Sequence, residues 1–183
     1  SHARGDYVHK VASLRIALEI DPGDGDAARQ LAMAHVEVGE VVAAREVMER
    51  ALLRDALDTE NHALLAYLDW LRGERETVLD TLERSIRLSP TYTWSWDHLL
   101  QWGTEAGQPN RAAELARTLT GERPGDARTW LNLASLLRGG GPATADERMA
   151  AIERAIECDP WIWDAYDVKA ELLSIDGRFD EAE

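Results

Sequence analysis

Apolar and polar residues alternate along this chain with a helical beat almost from end to end. In ERETVLDTLERSIRLS (74–89), Val78, Leu79, Leu82 and Ile86 recur at helical spacing among charged neighbours, and ALLAYLDWLR (63–72) carries a second apolar stripe. Such spacing places apolar side chains on one face of an α-helix. Glycines and prolines punctuate these segments. Gly5, Gly39, Gly73, Gly107, Gly141 and Gly177 are separated by 34, 34, 34, 34 and 36 residues. Pro22, Pro90, Pro124 and Pro160 keep the same beat, with Ala56 standing where one further proline would fall. Glycine stops a helix and proline cannot continue one, so each interval between them predicts one amphipathic helix and each period predicts a helix pair. A fixed period of this size marks stacked units, each too small to bury its own apolar face.

Numbering the units from residues 25, 59, 93, 127 and 163 aligns their side chains. Position 4 holds Ala28, His62, Trp96, Trp130 and Tyr166; position 7 holds Leu31, Leu65, Leu99, Leu133 and Lys169; position 8 holds Ala32, Ala66, Leu100, Ala134 and Ala170. In the second helices Leu14, Met48, Leu82, Ala116 and Ile152 share position 24, and Ala17, Ala51, Ser85, Leu119 and Ala155 share position 27. This pattern resembles the tetratricopeptide repeat, a 34-residue helix–turn–helix. The resemblance implies an all-α fold, a right-handed superhelical solenoid of stacked helix pairs. One array is expected over 1–183: a second helix at 1–22, units at 25–58, 59–92, 93–126 and 127–162, and a partial unit at 163–183. Without a polar cap at either end, the array reads as a piece of a longer protein.

Two departures from the pattern carry expectations of their own. Position 11, normally large and apolar, is His35, Asp69 and Gly103 in three units, while position 10 is Ala34, Leu68, Trp102, Leu136 and Leu172, as if the apolar stripe had rotated slightly. The 36-residue step arises at GGGPATADER (139–148), which predicts a longer, looser connection.

SPTYTWSWDHLLQW (89–102) concentrates four aromatic rings in fourteen residues. In the resembling family, first helices line the concave face, so the register sorts these rings. Trp96 and Trp102 are expected in the core, with Trp130 and Tyr166 repeating the role of Trp96. Trp94 at position 2, with Tyr67 and Trp70 at positions 9 and 12 of the preceding unit, is expected in the groove. The same register places Asp97, His98, Gln101 and Glu105 beside them, and Arg128, Asn132 and Arg138 from the following unit. The candidate peptide site is Tyr67, Trp70, Trp94, Asp97, His98, Gln101, Arg128 and Asn132; the competing reading is that Trp70 and Trp94 fill gaps between first helices. Trp161 and Trp163, in the Pro160 turn, are expected at a rim. Some relatives clamp a C-terminal carboxylate through Lys, Asn and Arg at inner positions. Here those positions hold mostly Asp26, Glu60, Asp97, Gln101, Asp164 and Asp167, with only Arg29, Arg128 and Asn132 of the right type, which disfavours such a clamp.

Composition narrows the partner. The 183 residues carry 20 Lys and Arg against 34 Asp and Glu, a net charge of −14. That charge repels nucleic acid and anionic membranes and favours a basic or mixed apolar and basic protein or peptide. No apolar run approaches the roughly 18 residues of a membrane span. The single Cys158 rules out an internal disulfide and is compatible with a reducing compartment. Metalloprotease, nucleophile-elbow, phosphate-loop and dinucleotide motifs are all missing, so no catalytic residue, metal or cofactor is expected. DPGDGDA (21–27) lacks the acid spacing of a calcium loop and reads as an inter-repeat turn. Two function classes follow: a non-catalytic interaction scaffold, or the substrate-recognition arm of an enzyme whose catalytic domain lies outside this chain.

Overall fold

The structure, a computed structural model, describes residues 2–138 and 142–175. All regular structure among them is helical. The helices are α1 (His2–Ile20), α2 (Gly25–Glu37), α3 (Val41–Arg54), α4 (Thr59–Arg72), α5 (Arg75–Leu88), α6 (Thr93–Glu105), α7 (Arg111–Glu122), α8 (Ala127–Leu136), α9 (Pro142–Cys158) and α10 (Trp163–Ile175). They form two compact units, residues 1–102 and 103–183. Each unit is a stack of antiparallel helix pairs, the architecture of a tetratricopeptide solenoid.

The helix ends repeat the chemistry of the period. Asp24, Asp58 and Asp126 share one register position. Their carboxylates accept the Ala27, Asn61 and Arg128 backbone N–H groups at 2.9, 2.8 and 2.9 Å, capping α2, α4 and α8. At the other ends Gly39, Gly73 and Gly107 have φ of 82°, 82° and 77°. Only glycine takes this left-handed conformation at low cost, which explains why the beat falls on glycine. Gly5 differs, because α1 runs through it. Gly141 and Gly177 lie outside the described residues. So do Gly139 and Gly140, the start of the expected loose connection; from Pro142 to Arg148 that segment is the beginning of α9, with proline at the first helical position, where its missing N–H costs nothing.

The first unit is packed around Leu31, Ala32, Ala34, Ala44, Val47, Met48 and Leu68. Ala32, Ala66 and Ala134 of position 8 are fully buried, which lets neighbouring helices approach closely. Positions 10 and 11 are both inside: His35 and Asp69 are buried beside Ala34 and Leu68. The apolar stripe is therefore widened, not turned away, and its polar members are paired. Arg45 donates to Asp69 at 2.6 Å, and His35 Nδ1 lies 2.7 Å from Glu40 and 3.3 Å from the Tyr7 hydroxyl. A buried polar group without such a partner would carry the full cost of desolvation.

Position 4 works as a lock on the preceding turn. His62, Trp96, Trp130 and Tyr166 each donate to the backbone carbonyl six residues earlier, at Ala56, Pro90, Pro124 and Pro160, over 2.9, 3.0, 3.0 and 3.1 Å. Burial differs among them. Trp96 and Trp102 are core residues, whereas Trp130 is half-buried and Tyr166 is 43% exposed. The expectation that Trp130 and Tyr166 repeat the role of Trp96 holds for the hydrogen bond and, for Trp130, for packing, since its partly buried ring lies against the cluster of Ala127, Leu131, Ala155, Ile162 and Ala165; it is corrected for Tyr166, which is exposed. Cys158 is half-buried, and its Sγ–H donates to the Pro124 carbonyl at 3.4 Å.

In the second unit Arg117 on α7 makes a two-pronged bond to Glu147 on α9, Nε to Oε1 at 2.6 Å and Nη2 to Oε2 at 2.9 Å. The hydrogen bond to Arg117 holds the Glu147 carboxyl below its ordinary range, burial opposing and the guanidinium charge reinforcing it. A carboxyl depressed in the folded state adds stability above its unfolded pKa, and that stability is lost as pH falls through the folded value. Glu147→Gln is accordingly expected to lower the melting temperature at neutral pH and to narrow its gap from wild type in acid. Parallel thermal melts along a pH series check this; a gap that stays constant into acid contradicts it.

Candidate functional site

A cleft of about 400 Å³ opens in the first unit, lined by Arg29, Met33, Glu60, Ala63, Leu64, Tyr67, Tyr92, Trp94 and His98. Its wall is built from first helices and the turn before one of them. α2 supplies Arg29 and Met33, α4 supplies Glu60 to Tyr67, α6 supplies Trp94 and His98, and Tyr92 comes from the turn before α6. Residues i and i+4 of a helix share a face, which is why Arg29 with Met33, Glu60 with Leu64, Ala63 with Tyr67, and Trp94 with His98 appear as pairs.

The rings are held by one another. Trp94 stacks on His98 with centroids 3.8 Å apart and planes 20° apart, and meets Trp102 edge-on at 5.9 Å. His98 Nδ1–H donates to the Trp94 carbonyl at 2.8 Å, so the neutral imidazole keeps Nε2 as an acceptor. Tyr92 lies 6.4 Å from Trp94, tilted by 34°. Trp70, expected as a third anchor, stands elsewhere. It stacks on Trp102 at 4.5 Å and 6°, and the Arg75 guanidinium sits 3.4 Å from its ring centre. With both faces covered, Trp70 braces the buried Trp102 and does not line the cleft.

Of the other sequence-derived residues, Tyr67, Trp94 and His98 come together in the cleft wall. Asp97 and Gln101 are exposed on α6 outside it. Arg128 and Asn132 belong to the second unit, where Arg128 donates to Asp164 at 2.9 Å. Arg29, Met33, Glu60, Leu64 and Tyr92 were not among the candidate site residues. The register held a signal for four of them: Glu60 shares position 2 with Trp94, Arg29 shares position 5 with Asp97, Leu64 shares position 6 with His98, and Met33 shares position 9 with Tyr67.

Arg29 anchors the polar end of the cleft. Nη1 donates to Asp58 at 3.1 Å and to the Asn61 side-chain oxygen at 2.9 Å; Nη2 pairs with Asp26 and, at 3.1 Å, with Glu60. Gly25 makes room for this cluster, since a Cβ there would come within 2.8 Å of the Asp58 carboxylate. Burial depresses the basicity of Arg29, but the hydrogen bond to Asp26 and the charges of Asp58 and Glu60 outweigh it and leave the group more firmly protonated than usual. Among the described residues, no group of three or more acidic, histidine or cysteine side chains is placed to hold a metal ion, and no helix is long and apolar enough to cross a membrane.

Helix pairs locked at position 4, with a cleft on the first helices, have the fold of a tetratricopeptide solenoid. Residues 3–68 match the tetratricopeptide repeat family model. Solved structures share the fold over most of the chain. MamA is 19% identical, covering 87% of this chain and 92% of its own with a TM-score of 0.53. YrrB, described as a TPR protein with an unusual peptide-binding site, is 16% identical over 92% of this chain and 86% of its own, with a TM-score of 0.52. PilF of Pseudomonas aeruginosa is 19% identical over 98% of this chain and 81% of its own, with a TM-score of 0.53. No curated protein sequence matches. Families of this type are generally non-catalytic scaffolds for protein interaction.

Proposed function

We propose that this chain is a non-catalytic scaffold that binds a peptide or protein segment in the cleft between α2, α4 and α6. The observation that carries this reading is the gathering of Tyr67, Tyr92, Trp94 and His98 around one open cleft that the paired Arg29 and Glu60 also line. Aromatic walls give a large contact area at small entropic cost, and the few polar groups fix orientation. The same fold carries a peptide-binding site in YrrB.

Selection of displayed peptides against the intact protein, followed by calorimetry, tests the proposal. Trp94→Ala and Tyr67→Ala are each expected to weaken a selected peptide by about 2 kcal/mol or more, the scale of an interface hot spot. Circular dichroism should show the helical fold retained in both. Unchanged dissociation constants for the two variants would place the site elsewhere and leave these rings as packing residues.

A further inference from the structure

The cleft wall has an uneven hydrogen-bonding and charge balance that selects its occupant. Arg29, the one cation in the wall, already serves four partners: both Nη atoms are engaged, by Asp58 and Asn61 on one side and by Asp26 and Glu60 on the other. It has little to offer an incoming anion. Glu60, the one carboxylate in the wall, is 54% exposed, and behind the lining Asp26 and Asp58 pair with the same guanidinium, so the acidic groups around Arg29 outnumber it. Tyr67, Tyr92 and Trp94 add the negative π-faces that attract cations. His98 in its neutral form adds an acceptor, its N–H being spent on the Trp94 carbonyl. Carboxylates, π-faces and the imidazole acceptor therefore all oppose an anion and favour a cation.

The chain already makes this kind of contact internally, where the Arg75 guanidinium lies 3.4 Å from the centre of the Trp70 ring. A guanidinium suits an apolar cleft better than an ammonium, because it is flat and weakly hydrated and can stack while it hydrogen-bonds a carboxylate. Resting on the reading of the cleft as a peptide site, we propose that it receives an arginine side chain of the bound segment, with the guanidinium against the aromatic wall and beside Glu60.

Three capped pentapeptides test this: alanine, leucine, a variable centre, leucine and alanine, the centre being arginine, its neutral isostere citrulline, or glutamate. Titrated into the intact protein, the arginine peptide is expected to bind at least about tenfold more tightly than the citrulline peptide, with glutamate weakest. Glu60→Gln, at an exposed position, should shrink the arginine preference several-fold, because it removes the carboxylate charge that favours arginine over neutral citrulline; Asp58 is kept because it caps α4. Equal binding of arginine and citrulline, a preference untouched by Glu60→Gln, or no binding by any of the three overturns the arginine proposal. If all three bind alike and all weaken in Trp94→Ala, the arginine proposal falls and the cleft reading stands. If they bind and none responds to Trp94→Ala or Tyr67→Ala, the cleft reading itself falls.

Discussion

Trp96→Ala is expected to lower the unfolding free energy by about 3–5 kcal/mol, the usual cost of deleting a large buried ring. Trp96 is 7% exposed, and its indole N–H donates to the Pro90 carbonyl at 3.0 Å. The substitution therefore opens a cavity and also unties the turn that joins α5 to α6. Trp96→Phe separates the two effects, since it keeps most of the ring and loses the hydrogen bond, which alone is worth about 0.5–1.5 kcal/mol. Trp94→Ala, two residues away, removes a half-buried ring whose contacts are His98, Tyr92 and the edge of Trp102, and should cost much less. Denaturant midpoints decide: equal losses for Trp96→Ala and Trp94→Ala would show that the division into core and cleft rings is wrong.

The helix pairs were legible because one period imposes the same demands on each copy. A left-handed residue has to end a first helix, so glycine returns at Gly39, Gly73 and Gly107. Close helix approach wants a small side chain, so alanine returns at Ala32, Ala66 and Ala134. The position-4 lock was harder to read, because histidine, tryptophan and tyrosine look unlike as hydrophobic residues and share only a ring-borne donor at similar reach. The partner of that donor is a backbone carbonyl, which no side-chain pattern records. Half of the cleft was hidden for another reason. The register names which side chains face a first helix's neighbours, but not which of them are consumed there. Trp70 stands on a suitable face and is spent on Trp102 and Arg75, while Arg29 looks like a ligand-binding cation and is spent on Asp58 and Asn61, 29 and 32 residues away. Tyr92 carries no helical register at all, since it lies in the turn before α6.

Glu171→Ala is expected to cost about 3 kcal/mol, the low end of what breaking a buried ion pair costs, because Glu171 itself is partly exposed. Its partner is the reason for the size of the effect. Arg148 on α9 is only 3% exposed; its Nε–H donates to the Ala134 carbonyl of α8 at 3.1 Å and its Nη2 to Glu171 of α10 at 3.2 Å. The same carboxylate oxygen accepts Arg138 Nη2 at 2.5 Å, so Glu171 ties two arginines to α10. Without it, among the described residues, a buried guanidinium keeps only the neutral Ala134 carbonyl, whereas Arg138 returns to water at little cost. If the penalty is that stranded charge, replacing Arg148 as well should relieve it, because methionine fills similar space without needing a counterion. The double variant Arg148→Met with Glu171→Ala is therefore expected to recover more than half of the loss. Chemical denaturation of the two single variants and the double completes the cycle. A double variant whose loss equals the sum of the singles would mean that the two side chains stabilise the second unit independently, and that the ion pair is incidental to its packing.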